Sequence, residues 1–295
     1  KRSFSSFGLC FDVFIVSHDK PFDEIILRKN QIILIVKGKF VVRQLLNGVS
    51  SIGLRAELKQ RNKLNNRGCN IPPKLYFSDP IKHYLVEEFI QGKPVTQCNL
   101  KHQSIEISMI IKVHKEITKF GKTKEIPLPY IYGKYCKKLE IIKVKLKNKE
   151  AAIFITSFVN EFSGKVKNNK TIEVIDLIHG DFNFSKNILQ SNDGRIRVID
   201  WEHSSFGPIF FDIFYAIVHL NVERSIKIEF FRRSMHLIDT NNLSGYGIRM
   251  HIHMCFILLV IMKMNVWLYK DYGNKKLLSR RIVMLKEVRE LLKYL

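Results

Sequence analysis

His179-Gly180-Asp181 follows one apolar stretch, Asn187 precedes another, and Asp200 closes a third in Val198-Ile199-Asp200-Trp201-Glu202. Carboxylate and amide oxygens are hard donors that suit Mg²⁺, an ion that keeps several waters and shares phosphates with a nucleotide. Phosphoryl transfer from a nucleotide asks little else of a protein. One carboxylate orients and deprotonates the attacking hydroxyl, oxygen ligands hold the metal, and a cation positions the α and β phosphates. On that chemistry Asp181 is the candidate base, and Asn187 and Asp200 are the candidate Mg²⁺ ligands. Singly, each has an ordinary reading. His-Gly-Asp is a common turn, Asn187 could end a loop, Asp200 could cap a strand end, and Asp212 could favour a helix N-terminus. Their joint order points to a shared role, with the hairpin signal Asn192-Asp193-Gly194 between Asn187 and Asp200.

The flanking pattern predicts the elements that must position these groups. Runs 31–36 and 39–46 are β-branched and apolar, and Lys37-Gly38 can turn between them. Residues 51–66 carry Leu54, Leu58 and Leu64 at helical spacing, with Gly68 and Pro72-Pro73 as stop signals. Runs 74–77 and 83–90 read as two more strands joined through Asp79-Pro80, and Gln91-Gly92-Lys93-Pro94 reads as a linker. Beyond it, Ile107, Ile110, Ile111, His114 and Ile117 share a helix face, on which His114 reads as a core residue. A second helix is expected at 150–161, short strands at 175–178, 188–190 and 195–199, and helical segments at 211–220, 226–238, 251–269 and 277–295. The fold expected is α+β and bilobal. Residues 1–90 would form a strand-rich nucleotide lobe with one helix. Residues 91–295 would form a larger, mostly helical catalytic and acceptor lobe, with a cleft between the two.

Residues 178–216 resemble the signature of the aminoglycoside phosphotransferase and choline kinase family. His179-Gly180-Asp181, Asn187-Ile188-Leu189, Ile199-Asp200-Trp201-Glu202, Gly207-Pro208 and Phe211-Asp212 stand in that family's order. The resemblance implies a protein kinase-like fold, ATP and Mg²⁺ as cofactors, and phosphoryl transfer to a small-molecule hydroxyl. It implies Asp181 as catalytic base, Asn187 and Asp200 as metal ligands, and His179 and Asp212 as braces of the catalytic loop. In the kinase loop H-R-D-x-x-x-x-N about four residues separate Asp from Asn. Here five do, so the loop carries an extra residue and Asn183 stands as an alternative ligand. In the strand-rich lobe the resemblance implies Arg43 on the third strand paired with Glu57 on the following helix, although a surface ion pair would look the same. Arg in place of the usual Lys suits bidentate phosphate contact. The segment Leu85-Val86-Glu87-Glu88-Phe89-Ile90-Gln91-Gly92 resembles the hinge, where backbone groups near Glu88 and Ile90 would meet the adenine. Val113-His114 resembles the family's Leu-His. Arg28-Lys29-Asn30-Gln31 stands where a glycine-rich phosphate loop is expected. No Asp-Phe-Gly to Ala-Pro-Glu segment follows Asp200, which argues against protein substrates.

Composition narrows the partners. A formal charge of +22 would attract nucleotides, nucleic acid and acidic membranes, or it reflects a Lys-, Asn- and Ile-rich composition with lysines on solvated faces. The densest segment, 134–149, has no RNP or GXXG motif, so no specific nucleic acid is expected. Cys10, Cys69, Cys98, Cys136 and Cys255 form no CxxC pair and read as free thiols in a reducing, cytoplasmic compartment. His251 and His253, two apart on a helix, do not share a face for a metal. Trp201, Phe206, Phe210 and Phe211 read as core packing. The apolar run 254–262 falls short of the roughly 20 residues of a transmembrane helix and reads as a buried helix. The chain opens on Lys1, which reads as a trimmed start, and 11–16 is too short for the core of a secretory signal. The acceptor stays open among choline or another amino alcohol, a sugar, a glycan precursor and an aminoglycoside. The Phe-rich loop after Asp181 resembles members associated with cell-surface sugar metabolism, and the excess of Lys and Arg favours an anionic acceptor. Oligomeric state is not encoded in these features. The extra loop residue and the missing glycine loop also admit a catalytically inactive relative that binds nucleotide or a partner. A basic nucleic-acid-binding protein is a third reading, carried by charge alone.

Overall fold

The computed structural model describes residues 23–27, 31–46, 52–79, 81–95, 103–164, 166, 170–220, 222–237, 245–270 and 274–294. The sequence readings at Lys1, 11–16, Cys10, Arg28-Lys29-Asn30, Pro80 and Cys98, and those on the side chains of Ile107 and Ile110, lie outside these residues. Two compact units make up the chain: Lys1–Leu100 with Ser185–Ser204, and Lys101–Phe184 with Ser205–Leu295.

In the first unit, β1 (Glu24–Leu27), β2 (Gln31–Val36), β3 (Phe40–Leu45), β4 (Leu75–Asp79) and β5 (Tyr84–Glu88) form an antiparallel sheet of order β1-β2-β3-β5-β4. The expected turn joins β2 to β3, with Lys37 at φ 51° and Gly38 at φ 55°, the paired positive values of a tight hairpin. Its register sets Arg43 opposite Ile33 on one side and Leu85 on the other. Helix α1 (Ile52–Asn66) buries Leu54, Leu58 and Leu64, and the first two pack with Leu85, Leu45 and Leu75. Most of the segment read as a linker is a strand. β6 (Gly92–Pro94) pairs with β9 (Ile188–Ser191), which pairs with β10 (Ile196–Val198) through the predicted Asn-Asp-Gly turn. Gly92 signalled a break in the sequence, but its role is close approach. A Cβ there would run into the backbone of Gln190 and Ser191.

The second unit holds a three-stranded sheet of order β11-β8-β7, from β7 (Thr123–Pro127), β8 (Thr171–Ile178) and β11 (Ser205–Pro208). Around it lie α2 (Gln103–Thr118), α3 (Leu128–Leu146), α4 (Lys149–Ser163), α5 (Phe211–His219), α6 (Arg224–Leu237), α7 (Gly245–Lys270) and α8 (Lys275–Leu292). Most of the lysine-rich segment is α3. Its buried residues Leu128, Ile131, Tyr135, Leu139, Ile142 and Leu146 recur every three or four positions, so the lysines fall on the solvated face. Met250–Leu268 of α7 is long and apolar enough by composition to cross a membrane, yet 67% of it is buried inside the protein, as in a core helix. His251 accepts the Glu173 N–H at 3.0 Å, and His253 packs against Phe162, so these histidines serve the core. Cys69, Cys136 and Cys255 are free thiols.

His114 sits on the buried face of α2 with Ile111 and Ile117. Burial, reinforced by Lys115, pulls its imidazole down from 6.5 to about 4. Its Nδ1 has no hydrogen-bond partner among the described residues. Between those two values the unfolded chain binds the proton and the folded chain does not, so stability falls as pH drops through that window. We expect His114 to cost about 2 kcal/mol on going from pH 7 to pH 5. Urea midpoints at both pH values check this, since His114→Leu should flatten that part of the pH dependence.

Candidate functional site

The predicted loop is braced from within the second unit. β8 delivers His179, whose N–H donates to Asp212 Oδ2 at 2.8 Å, and the next N–H, of Gly180, donates to Asp212 Oδ1 at 3.0 Å. Gly180 stands at φ 84°, a left-handed conformation that turns two successive N–H groups toward one carboxylate. Asp212 itself is placed by the first turn of α5 and is fully buried. Burial pushes its carboxyl up, while His179 and the two N–H groups pull it back toward ionisation. Buried His179 accepts the Asp181 N–H on Nδ1 at 3.3 Å, and the Asp181 carbonyl accepts the Asn183 N–H at 2.8 Å. The phenylalanines after the aspartate anchor the turn. Phe182 and Phe184 are buried edge to face at 6.0 Å, whereas Asp181 before them and Asn183 between them stay half-exposed.

One further residue that the sequence did not single out reaches Asp181, and a second reaches that one. Tyr215 of α5 donates its hydroxyl to Asp181 Oδ1, and Lys263 of α7 donates to the Tyr215 oxygen at 2.7 Å. Burial, then Asp181, raises the Tyr215 phenol well above its ordinary range, so it remains a donor. His219 stacks on the Tyr215 ring at 4.1 Å and takes the carbonyl of the same residue as partner at 2.8 Å. In the sequence Tyr215 stands as one more ring in the largely apolar run Phe211-Asp212-Ile213-Phe214-Tyr215. The one available signal was a polar-tipped ring on the same helical turn as Asp212.

A second cluster lies within the first unit. Arg43 on β3 donates to Glu57 on α1, meets Glu87 on β5 at 3.0 Å, and lies 4.0 Å from Asp200. Arg61, one helical turn after Glu57 and fully buried, pairs with Glu57 at 3.5 Å, with Glu87, and with the Pro73 carbonyl. The predicted Arg43–Glu57 pair is therefore buried rather than a surface pair, and it belongs to a larger network. Burial raises the Glu57 carboxyl, with Glu87 adding to the effect, while Arg43 and Arg61 oppose it. Against its own desolvation, Arg43 is held firmly charged by Glu57, Glu87 and Asp200. Arg61 and Glu87 were not singled out from sequence, although Glu57 and Arg61 have the i, i+4 spacing of a helical ion pair.

Asp200 follows β10 at φ 64° and ψ 62°, a left-handed conformation that Asp tolerates better than most residues, and its side chain is partly exposed. The β9–β10 register, Ile188 opposite Val198, continues into a hydrogen bond from the Ile199 N–H to the Asn187 carbonyl at 2.9 Å. Asn187 and Asp200 thus close the same end of one hairpin, while Asn183 stands with Asp181 in the other unit. Glu88 uses its N–H on the Lys74 carbonyl and its carboxylate on Arg197 and the Lys74 N–H. Ile90 lies just past β5, half-exposed. Trp201 is buried, its indole donating to the Val198 carbonyl at 2.8 Å, so it is core as expected. Among the described residues, no group of three or more His, Cys, Asp or Glu converges to hold a metal ion alone.

Similarity to known proteins bears on the fold and the family. Among curated protein sequences, none matches this chain. The fold matches the choline kinase LicA from Streptococcus pneumoniae, with a TM-score of 0.60 at 13% identity over 92% of this chain and 95% of that one. It matches an ethanolamine kinase from Plasmodium vivax, with a TM-score of 0.58 at 15% identity over 89% of this chain and 81% of that one. It also matches the aminoglycoside phosphotransferase APH(4)-Ia, solved with ADP and hygromycin B, with a TM-score of 0.62 at 12% identity over 92% and 94%. These likenesses show a protein kinase-like α+β fold. The profile of choline/ethanolamine kinases matches residues 26–245, and over that span, most of its length, the chain belongs to the choline/ethanolamine kinase family, a family of small-molecule phosphotransferases.

Proposed function

We propose that this chain transfers the γ-phosphoryl group of ATP, with Mg²⁺, to a hydroxyl group of a small molecule. The observation that carries the reading is the contrast around the loop. Asp181 is half-exposed and its carboxylate is oriented by Tyr215, whereas the residues that hold the loop, His179 and Asp212, are buried. An oriented, accessible carboxylate is what a general base requires. Asp181 aligns the acceptor hydroxyl and takes its proton. Arg43, kept charged and fixed by Glu57, positions the phosphates. The backbone near Glu88 and Ile90 meets the adenine, and with the Glu88 N–H already bonded, its carbonyl and the Ile90 N–H are the groups assigned.

Asn187 and Asp200 would hold Mg²⁺. The donor set fits that ion. Two oxygen-bearing side chains at one hairpin end, one partly exposed, leave the remaining positions to water and phosphate oxygens. When bound, the ion neutralises phosphate charge. Free cysteines and use of ATP support a cytoplasmic setting. A catalytically inactive, nucleotide-binding relative is the second reading. It is favoured by the engagement of Arg43 with three carboxylates, Glu57, Glu87 and Asp200.

Thermal melting and calorimetry with ATP, with and without Mg²⁺, test the proposal. The native chain should bind ATP in a Mg²⁺-dependent way. Asp200→Ala should weaken that binding by at least roughly 10- to 100-fold, a cost typical even of groups that only orient metal ligands. A folded chain that binds no nucleotide sinks the proposal. Binding without turnover across a panel of alcohols would establish the inactive reading.

A further inference from the structure

The phenol of Tyr215 has one hydrogen, and it goes to Asp181. Lys263 donates to the same oxygen at 2.7 Å, so its ammonium lies within roughly 5 Å of the Asp181 carboxylate, two hydrogen-bond lengths away. Any acceptor whose hydroxyl rests on Asp181 must approach that charge. The surroundings add to it. Arg281 donates to the Lys263 carbonyl at 2.7 Å and acts electrostatically on Tyr215. Lys227, which Glu287 faces, donates to the Val218 carbonyl at 2.9 Å, and its charge is felt at His219. The acid on α5, Asp212, is engaged by the His179 and Gly180 N–H groups. Burial and Lys263 pull His219 down to about 4, so it is neutral at neutral pH.

Recognition of an ammonium group commonly uses an aromatic face. The ring whose hydroxyl donates to Asp181 already has an ammonium beside it. The Lys263 ammonium lies 4.7 Å from the Tyr215 centroid, and His219 stacks on the same ring at 17°. A protein ammonium thus already stands at the hydroxyl edge of the ring that donates to Asp181. We infer that Lys263 is a specificity-determining residue of the acceptor site, selecting hydroxyl acceptors that carry no positive charge and rejecting choline-like and amine-bearing alcohols. This rests on the assignment of Asp181 as the residue that receives the acceptor.

Choline is the probe, and its affinity is measured by calorimetry on the native chain, Lys263→Met and Lys263→Glu. Each is tested with and without Mg²⁺ and a non-hydrolysable ATP analogue. Glucose and glucose 6-phosphate serve as neutral and anionic comparisons. Removing a like charge at this separation should tighten choline binding by roughly 10- to 100-fold. Lys263→Glu should exceed Lys263→Met and should weaken any binding of the anionic probe. Melting curves verify the fold of each variant, and Lys263→Met decides alone where the glutamate variant does not fold. Choline affinity no higher in the variants than in the native chain overturns the inference, including the case where choline binds to none of them. Failure of the broader phosphotransfer reading is seen separately, as absent Mg²⁺-dependent nucleotide binding.

Discussion

Asp181→Asn is expected to lower the rate of acceptor phosphorylation by about 10²- to 10⁴-fold, the usual contribution of a positioned general base. The substitution isolates the chemistry because little else changes. The amide has the size of the carboxylate, and its oxygen can still accept the Tyr215 hydroxyl. The Asp181 N–H and carbonyl keep their bonds to His179 Nδ1 and Asn183, and the bracing by Asp212 is untouched. What disappears is the negative charge and the ability to take a proton. Nucleotide affinity should stay within about twofold, because the residues assigned to ATP and Mg²⁺ are elsewhere, so the loss falls on kcat. Steady-state ADP release, set beside calorimetric ATP binding, reads both quantities. An undiminished rate would remove Asp181 as the base. A collapse of nucleotide binding would give it a different role.

The largest effect on stability is expected from Glu57. Glu57→Leu leaves Arg43 and Arg61 sharing Glu87 in a nearly dry site, with Arg61 fully buried and Glu57 itself only 1% exposed. Breaking a buried ion pair from one side costs about 3–5 kcal/mol, because the charge left behind loses its partner but does not regain water. A urea or guanidinium midpoint should fall accordingly. Glu57→Leu with Arg61→Met should recover much of the loss, since replacing both partners removes the stranded charge. A single variant as stable as the native chain would show that water or a rearranged Glu87 satisfies the arginines. The same variant frees Arg43 to swing toward Asp200, at 4.0 Å in the native arrangement, so weaker nucleotide binding should accompany the loss of stability.

Much of the site was legible in the residues themselves because its parts are local. His179-Gly180-Asp181 announced a strand followed by a turn, and the observed φ of 84° at Gly180 is the conformation that a glycine permits there. Lys37-Gly38 and Asn192-Asp193-Gly194 marked the two hairpins that were found. Leu54, Leu58 and Leu64 marked a helix whose apolar stripe had to face a sheet. The contact of Glu57 with Arg43 across 14 positions was implied by the family resemblance, and the helix and strand that carry the two residues were legible as elements. Turns and amphipathic faces are set by backbone sterics and burial over a few residues, and their composition records them.

Other features had no such record. Tyr215 and Lys263 meet across 48 positions because α5 and α7 pack together, and nothing in either helix's pattern names its neighbour. Glu87 and Arg61 join the Arg43 pair because β5 lies beside β3, a choice of strand order that alternation alone does not make. Gly92 read as a break and proved to be a close approach between β6 and β9. Residues 134–149 showed their lysines in the sequence, and only packing against the core revealed the buried stripe of α3. The sequence by itself determined the loop, its turns and the residue types that can do the chemistry. Tertiary structure alone decided which distant side chains surround them, because such contacts depend on how whole elements pack.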